Sequence, residues 1–411
     1  MYRSITVSNY RMRIKTSCFM QEVFPSVIRK ALGIFWICFE RNSAMSSRMN
    51  ILYDKKPCYD IVFSTDFGEL QSELEALGMK ERKVCVITDS KVASLYGDEV
   101  MDCLSGMCHK NVLFSFPAGE ESKTLDTVRD IYRFLIHENF DRKDLLIALG
   151  GGVTGDITGY TAATYLRGID FVQIPTTLLA QADSSIGGKT GVDFDGFKNM
   201  VGAFYMPKLV YMNVGTLRTL DDRQFFSGFA EVMKHGLIKD GAFYEWLLEN
   251  MYEICDRDPD TLLEMVQRSS MVKKLVVEKD PTEKGDRALL NFGHTIGHAI
   301  EKYKNFTLTH GECVALGAVA AAFISWKHEW LSMEEYYEIR DMFVPFNLPI
   351  SVEDIEPQEI LRLTKSDKKM EGNTIKFVLL KKVGKAVIDR TVTDEDILNA
   401  IAEIHYIEDG E

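Results

Sequence analysis

The sequence lacks paired cysteines. Its eight cysteines are scattered over 411 residues and no two form a C-x-x-C pair; they are Cys18, Cys38, Cys58, Cys85, Cys103, Cys108, Cys255 and Cys313. Disulfide frameworks and thiolate zinc sites need cysteines at characteristic spacings. The distribution therefore indicates reduced thiols and a cytoplasmic protein.

Positive charge is scarce. There are 48 Lys and Arg against 61 Asp and Glu, which gives a net charge of −13. Residues 1–48 carry a balance of +6, so residues 49–411 carry −19. We expect no nucleic-acid partner, because phosphate contacts need clustered basic residues. A small anionic substrate remains compatible if a few lysines converge in one pocket.

Membrane segments, repeats and low-complexity tracts are absent as well. The apolar run ALGIFWICF (residues 31–39) is too short to span a bilayer. It follows Arg29 and Lys30 like the core of a signal peptide, but it starts late and no small-residue cleavage site follows at the expected distance. We therefore expect residues 1–48 to be a basic N-terminal extension outside the folded protein, and no membrane partner.

What is present is an alternation of short β-rich runs and helical segments. CYDIVF, KVCVIT, NVLFSF, DLLIAL, FVQIP and LVYMNV read as strands, with amphipathic stretches such as TLDTVRDIYRFLIHENF between them. This predicts an α/β domain with a Rossmann-like parallel sheet over residues 49–215. Helical periodicity dominates afterwards, which predicts a mostly helical domain over residues 216–411, with GECVALGAVAAAFISWKHEW as its buried central helix. A ligand site is expected in the cleft between them.

A glycine cluster follows one predicted strand, in DLLIALGGGVTGDITGY (residues 144–160). Gly150, Gly152 and Gly155 fit G-x-G-x-x-G, in which backbone amides approach a pyrophosphate at a helix N-terminus. The alternative is a tight strand-to-helix turn without a ligand. Asp170 stands where the motif expects an acid, but this is not the first βα unit of the domain.

The stretch PTTLLAQADSSIGGKTGVDFDGFKNMVGAFY (residues 175–205) is rich in small and hydroxyl residues. It also contains Asp183, Lys189 and Lys198, so its amides and ammonium groups could line an anion site. We expect a long functional loop here, and the alternative is a plain surface loop.

Four residues are metal-ligand candidates: Glu231, His294, His298 and His310. Two imidazoles and one carboxylate with an open position form a common catalytic zinc set. His294 and His298, four apart, would share one helix face. Spacing alone leaves open which pair of histidines binds. The other histidines, at 109, 137, 235, 328 and 405, are expected to be structural or surface residues.

These stretches together resemble the 3-dehydroquinate synthase family, which catalyses the second step of the shikimate pathway. The matching motifs, in order, are GGGVTGDITGYTAATYLRG, IPTTLLAQADSSIGGKTGV, FKNMVGAFY, FAEVMKHG, RALLNFGHTIGHAIE, THGE and SDKKMEGNTIKFVLL. The resemblance covers residues 50–405. It implies that Glu231, His294 and His310 hold a zinc or cobalt ion and that His298 faces the substrate.

The resemblance also implies an NAD site and overrules Asp170. The residues it assigns to NAD are Asp89, Gly119, Glu120, Glu121, Ser122, Lys123, Gly152, Val153, Thr154, Gly155, Asp156, Thr176, Thr177, Asp183, Lys189, Lys198, Thr216, Leu217, Arg218 and Thr219.

Substrate contacts are implied in the same way. They are Asp156, Arg167, Lys189, Asn199, Lys234, Lys273, Arg287, Asn291, His298 and Lys368, although Lys274 beside Lys273 leaves that assignment open. Arg167 is expected to reach the site of a second subunit, which implies a homodimer. The implied reaction converts 3-deoxy-D-arabino-heptulosonate 7-phosphate to 3-dehydroquinate and phosphate through transient oxidation by NAD, phosphate elimination, reduction, ring opening and aldol closure. The chain would be a lyase.

Three alternatives remain. A polyol dehydrogenase of similar fold would not require the basic pocket. A sister sugar-phosphate cyclase making an inosose or valiolone ring is nearer, but Arg287, Asn291 and His298 together favour dehydroquinate synthesis. A non-catalytic binding module would be expected to have lost ligand or basic residues, and none is missing.

Overall fold

The structure is a computed structural model that describes residues 47–282, 285–368 and 375–406, and only the backbone of residues 366–368. Residues 1–46 of the expected extension lie outside the described residues. In the described part of the chain, no helix is long and apolar enough to cross a membrane.

The first half of the described chain contains nine strands, and six of them occur where the alternation predicts them. The nine strands are β1 (Arg48–Tyr53), β2 (Lys56–Ser64), β3 (Lys83–Asp89), β4 (Lys110–Phe116), β5 (Leu145–Gly150), β6 (Asp170–Pro175), β7 (Lys189–Phe194), β8 (Phe197–Phe204) and β9 (Leu209–Asn213). Seven of them form one sheet in the order β1-β2-β9-β6-β5-β3-β4. Within this seven-stranded sheet only the β1–β2 pair is antiparallel, so the predicted parallel sheet is confirmed.

Helices cover both faces of this sheet. They are α1 (Leu70–Glu75), α2 (residues 90–103), α3 (Leu125–His137) and α4 (Gly152–Thr164). Val84 and Val86 of β3 pack in one apolar cluster with Leu70 of α1. Cys85 and Ile87 pack in another, with residues of α3 and α4. Successive side chains of a strand point to opposite faces, so β3 is buried from both sides.

The order in which the chain adds strands to the sheet reverses between β3 and β5. From β3 the chain adds β4 on one side, and it then returns to place β5 and β6 on the other side. Such a switch point opens a crevice at the carboxyl ends of the two strands, where ligands of open α/β sheets bind.

The stretch 175–205 is not the long loop that its composition predicted. A helical turn (Ala180–Ser184) is followed by the β7–β8 hairpin. A Cβ on Gly191 would lie 2.8 Å from the carbonyl oxygen of Val201, and one on Gly202 would lie 2.3 Å from that of Thr190. The glycines that suggested a loop therefore permit close approach of two strands.

Helices dominate the second half, as the periodicity predicted. They are α5 (Asp222–Lys239), α6 (Gly241–Glu249), α7 (Met251–Cys255), α8 (Pro259–Lys279), α9 (His294–Tyr303), α10 (His310–Lys327), α11 (Met333–Asp341), α12 (Pro357–Lys368) and α13 (Asp394–Ile404), with a small hairpin of β10 (Phe377–Lys382) and β11 (Lys385–Asp389). Nearly every residue of α10 is buried, which confirms it as the central helix.

Glycines bring α5, α9 and α10 into very close contact. A Cβ on Gly311 of α10 would lie 2.0 Å from the carbonyl oxygen of Ser227 in α5. One on Gly317 would lie 1.8 Å from that of Gly293, just before α9. No side chain fits in these gaps, so the three backbones touch directly.

Candidate active site

The residues expected to bind NAD collect at one edge of the sheet. Asp89 ends β3, residues 119–123 follow β4, residues 152–156 follow β5, Thr176 and Thr177 follow β6, and residues 216–219 follow β9. These five strands are parallel, so their carboxyl ends meet at the same edge.

The glycine cluster has the strand–turn–helix context that its motif requires, because β5 ends at Gly150 and α4 begins at Gly152. Added Cβ atoms would lie 2.4 Å from Thr154 Oγ1 at Gly150 and 2.9 Å from Gln173 Oε1 at Gly155. The turn therefore excludes side chains and presents backbone amides at a helix N-terminus, which suits an anionic group.

Asp170 lies elsewhere. It begins β6, at the opposite edge of the sheet, and its carboxylate pairs with Arg82 at 2.8 Å and Lys208 at 3.4 Å. The motif's acid position is thus filled by a structural ion pair.

Lys123 ties the residues after β4 to the rest of this edge. Its Nζ lies 2.7 Å from Asp156 Oδ2 and 2.5 Å from Asn199 Oδ1. Although burial alone would lower it, the carboxylates of Asp156 and Glu120 raise the pKa of Lys123. Burial raises the pKa of Asp156. Three expected ligand residues from separate segments are therefore held together.

The segment 216–219 is organised by an arginine that sequence reasoning did not single out. The Arg257 guanidinium donates to the carbonyl oxygens of Leu217 at 3.0 Å and Leu220 at 2.6 Å, and it pairs with Asp222 at 2.7 Å. Arg257 has a left-handed φ of 56°, and no periodicity or motif marks such a contact.

The three expected metal ligands meet between α5, α9 and α10. Nε2 of His294 and Nε2 of His310 each lie 3.3 Å from Oε1 of Glu231. The ligand atoms all lie within 4.8 Å of one another. Glu231 is 1% exposed, and its carboxylate also pairs with Lys234 one turn along α5. Two imidazoles and a carboxylate converging in this way fit a divalent zinc-type ion.

The ionisation of the trio also fits a metal. Despite burial, Lys234 and His294 hold the pKa of Glu231 well below its ordinary value. Burial lowers the pKa of His294 to about 4, so this imidazole is neutral and able to ligate. Although burial alone would lower it, Glu231 and Glu301 raise the pKa of His310 to about 9. The negative field that holds a proton there would equally attract a cation.

His298 lies one turn along α9 from His294, with ring centroids 5.1 Å apart, which confirms the shared helix face. Its ring lies 5.9 Å from that of His310. His298, Glu301 and His310 form a second group with metal-ligating atoms close together, and Asp183, Glu231 and His235 form a third, so geometry alone offers three sets. Glu231 belongs to the first and third sets, and only the first combines it with two of the expected ligand histidines.

Lys198 joins the hairpin to the metal region. Its Nζ lies 2.9 Å from Oε1 of Glu301, 3.9 Å from Oε1 of Glu120 and 4.5 Å above the ring of Phe306. Although burial would raise it, His310 and Lys198 lower the pKa of Glu301 to about 2. The Lys198 ammonium therefore lies between Glu120, which follows β4 at the carboxyl edge of the sheet, and Glu301 of α9.

A row of polar contacts lies near Glu231 and links Lys273, Asp183, His235 and Ser269. Lys273 Nζ lies 2.5 Å from Asp183 Oδ1, which lies 3.7 Å from Nε2 of His235. His235 in turn contacts Ser269 Oγ through Nδ1 at 2.8 Å. Although burial would raise it, Lys273 and Lys234 hold the pKa of Asp183 well below its ordinary value. Burial lowers the pKa values of Lys273 and His235.

Lys273 and Lys274 differ in the partners of their side chains. Lys273 points into this row, whereas Lys274 pairs with Glu278 at 3.8 Å along the same helix. His235 was expected to be a structural or surface residue. It is fully buried and contacts Asp183 and Ser269 in this row of polar residues.

Arg287 is a buried cation next to the turn before β7. It is 1% exposed, its guanidinium donates to the carbonyl oxygen of Pro281 at 2.6 Å, and a Cβ on Gly187 would lie 2.8 Å from its Nη2. Lys189 begins β7 and is exposed, and Asn291 precedes His294 by three residues.

Arg167 stands apart from the nucleotide-edge residues, and Lys368 is described only in its backbone. Arg167 is exposed, with a left-handed φ of 67°, in the segment before β6. That segment is at the amino edge of the sheet, whereas Asp156 follows β5 at the carboxyl edge. Lys368 ends α12, and its side chain lies outside the described residues.

Solved structures share this architecture. The chain is similar to ValA, a 2-epi-5-epi-valiolone synthase from Streptomyces hygroscopicus subsp. jinggangensis 5008 solved with NAD+ and Zn2+ bound, with a TM-score of 0.79 and 27% identity over 87% of this chain and 99% of that one. It is also similar to a 2-deoxy-scyllo-inosose synthase complexed with carbaglucose-6-phosphate, NAD+ and Co2+, with a TM-score of 0.77 and 25% identity over 87% and 99%. An iron-containing alcohol dehydrogenase shares the fold at 14% identity.

The fold and the site thus define a dehydroquinate synthase-like protein, with a parallel α/β part and a helical metal part. Two family models match the chain, 3-dehydroquinate synthase N-terminal over residues 113–227 and 3-dehydroquinate synthase C-terminal over residues 228–370. Within the class, the chain belongs to the 3-dehydroquinate synthase family.

Relatives support the same assignment. The chain is 46% identical to the 3-dehydroquinate synthase of Acetivibrio thermocellus over 343 residues, which is 84% of this chain and 95% of that protein. It is 44% identical to that of Ruminiclostridium cellulolyticum over 350 residues, covering 84% and 96%.

Proposed function

We propose that this chain catalyses the 3-dehydroquinate synthase reaction, a phosphate-eliminating lyase reaction on 3-deoxy-D-arabino-heptulosonate 7-phosphate. The observation that carries the proposal is the trio Glu231, His294 and His310, with the buried Lys234 paired to Glu231, in a member of this family. The second group, with His298 and Glu301, is not proposed as a metal site, because His298 is assigned to substrate.

Two bound groups would supply chemistry that side chains cannot. A divalent ion held by Glu231, His294 and His310 would act as a Lewis acid on a substrate hydroxyl. NAD+ at the carboxyl edge would accept a hydride and return it, so no net redox change results. The parallel strand ends and the glycine turn before α4 support this placement.

The chain's own task is to bind and orient a substrate with a carboxylate and a phosphate. A body with a charge of −19 over residues 49–411 needs local cations for that. Lys234 and Lys273 lie behind the trio and are buried, where they are weakly screened. We assign Lys189, Arg287, Asn291 and Lys368 to substrate contacts, and Asp156 and Asn199 to the same pocket through Lys123.

His298 is assigned to proton transfer or phosphate contact. It stands on the same face of α9 as His294, and its ring is close to both ligand histidines. An imidazole there can exchange a proton with a substrate held by the metal.

We also assign a homodimer in which Arg167 completes the partner's site. Arg167 lies before β6 and the carboxyl-edge residues follow it, so the length of a six-residue strand, about 20 Å, separates it from its own site. The hairpin nearby exposes the apolar side chains of Phe194, Phe197, Met200 and Phe204, which suit an interface.

The cytoplasm suits this assignment. The described cysteines are free thiols, which persist in reducing compartments. We retain residues 49–215 and 216–411 as the two proposed functional domains.

The test is phosphate release from the heptulosonate phosphate with NAD+ and Zn2+ present, while absorbance at 340 nm is followed. We expect phosphate and dehydroquinate in equal amounts with no accumulation of NADH. Steady NADH formation with a polyol and no phosphate would instead assign the chain to the dehydrogenases.

A further inference from the structure

The two ligand histidines are oriented alike. Each directs Nε2 toward Oε1 of Glu231, at 3.3 Å. Each also directs Nδ1 toward an oxygen atom. For His294 this is the carbonyl oxygen of Phe292, at 3.0 Å, and for His310 it is Oε2 of Glu301, at 3.7 Å.

This arrangement matters because an imidazole can ligate only through an unprotonated nitrogen. When Nε2 is the ligand, the proton of the neutral ring must sit on Nδ1, and an acceptor near Nδ1 stabilises that tautomer and fixes the ring plane. The backbone supplies the acceptor for His294. For His310 it is the side chain of Glu301.

Glu301 is well placed to act in this way. It is 5% exposed, and α9 carries it on the side facing the first residue of α10. Its other oxygen, Oε1, is held by Lys198 at 2.9 Å, and Phe306 covers that ammonium at 4.5 Å. The Lys198 contact leaves Oε2 directed at His310, so the carboxylate is oriented from both sides.

We infer that Glu301 is the positioning residue for His310: its carboxylate lies 3.7 Å from Nδ1 and would accept a hydrogen bond from it after a small approach, which would keep Nε2 directed at the metal together with Nε2 of His294 and Oε1 of Glu231. The inference rests on the proposed function, because it takes this trio as the metal site. Glu301 acts through His310 and contacts neither substrate nor metal itself.

Two substitutions separate the acceptor from its charge. Glu301→Gln retains a neutral oxygen that can still accept from Nδ1, whereas Glu301→Met retains the length of the side chain without an acceptor. Zn2+ affinity is measured on the full chain by competition with a chromogenic chelator. We expect Glu301→Met to bind Zn2+ about 10- to 100-fold more weakly than the unaltered protein, with Glu301→Gln in between.

A second readout is the visible absorption spectrum of the Co2+-substituted protein, which reports ligand geometry. We expect the bands to shift in Glu301→Met and to stay close to those of the unaltered protein in Glu301→Gln. Circular dichroism and thermal melting of the metal-free variants check that both fold.

Glu312→Gln is the matched control. Glu312 is on α10 two residues from His310, but its carboxylate accepts from the Thr309 amide and pairs with Arg223 at 2.7 Å. The Zn2+ affinity of this variant should stay within about twofold, because the Gln oxygen can still accept from the Thr309 amide and Glu312 contacts no ligand histidine.

The inference is overturned if Glu301→Met binds Zn2+ as tightly as the unaltered protein. It is also overturned if the Gln and Met variants are weakened equally, because the charge rather than the acceptor would then be responsible. Failure of the unaltered chain to bind Zn2+ would overturn the metal site of the proposed function together with it.

Discussion

Glu231, His294 and His310 differ in charge although both imidazoles lie 3.3 Å from the Glu231 carboxylate. Lys234 keeps Glu231 ionised, burial keeps His294 neutral with a pKa of about 4, and the carboxylates around His310 raise its pKa to about 9. At neutral pH the metal-free trio therefore holds one proton that a metal must displace, and that proton is on His310.

We predict that Zn2+ binding at pH 7.5 releases about one proton per ion, because only His310 has to lose one. The sign follows from its raised pKa: protonation competes with the metal below about pH 9, so the apparent affinity rises as the pH increases from 6.5 toward 9. Proton release is measured with a pH indicator in weak buffer. Release of no proton would show that His310 is already neutral.

His298 and His310 have different predicted roles. His310→Ala should remove the metal and the activity, whereas His298→Ala should retain a full metal content while losing most activity. Metal content is measured by atomic absorption after dialysis. If His298→Ala loses zinc as completely as His310→Ala does, the second group with Glu301 is the metal site.

Sequence reasoning reached the four candidate ligands but could not choose among the histidines from spacing. The choice depends on Glu231, which is more than 60 residues away along the chain and close only in the fold. Glu301 and Arg257 were missed for the same reason: an acid on a helix or an arginine after one looks like a solvated residue until its partners are known. For Glu301, its place three residues after His298 was the one available signal.

At the scale of elements, the periodicities predicted strands, helices and the buried α10 well. They failed over residues 175–205, where glycine was interpreted as a loop signal although it serves close backbone contact in the β7–β8 hairpin. Composition cannot distinguish these two uses of glycine, because both depend on having no Cβ.

The close contact between α9 and α10 can be tested by adding a methyl group at a glycine. Gly317→Ala would place a Cβ 1.8 Å from the carbonyl oxygen of Gly293, so the helices must separate. We expect a loss of about 1–3 kcal/mol in unfolding free energy, together with weaker Zn2+ binding because His294 moves. Chemical denaturation and chelator competition measure the two effects.

Gly97→Ala is the control for that substitution. Gly97 is also helical, with an ordinary φ, and a Cβ there would lie 3.4 Å from the flexible end of Leu113. It should leave stability unchanged or raise it slightly, since alanine favours helix over glycine. Equal behaviour of the two variants would contradict the close-contact argument.

At the scale of the whole molecule, the sheet order decides which residues can cooperate. A parallel sheet was predictable from the alternation, but the order β1-β2-β9-β6-β5-β3-β4 was not, because pairing between distant strands leaves no local mark. Because β5 and β6 are parallel neighbours, Arg167 before β6 and the glycine turn after β5 lie at opposite ends of these strands.

Sharing of sites between subunits can be tested by mixing two inactive proteins. Arg167→Ala should fail because neither site receives the arginine, and His310→Ala because neither site holds a metal. In a mixed dimer, the subunit with intact His310 receives the arginine of its partner. Subunits re-associated in equal amounts should regain about a quarter of full activity, since half the dimers are mixed and each has one complete site. No recovery would place Arg167 in its own subunit's site.

The glycine contacts among α5, α9 and α10 also limit how this part of the protein can evolve. A lineage that changed its metal could exchange an imidazole for another donor and keep the helix crossing. It could not accept even a methyl group at Gly297, Gly311 or Gly317, where backbone carbonyl oxygens lie 1.8–2.6 Å from a Cβ. Ancestry in remote homologues is therefore better traced by these three small residues than by the ligands themselves.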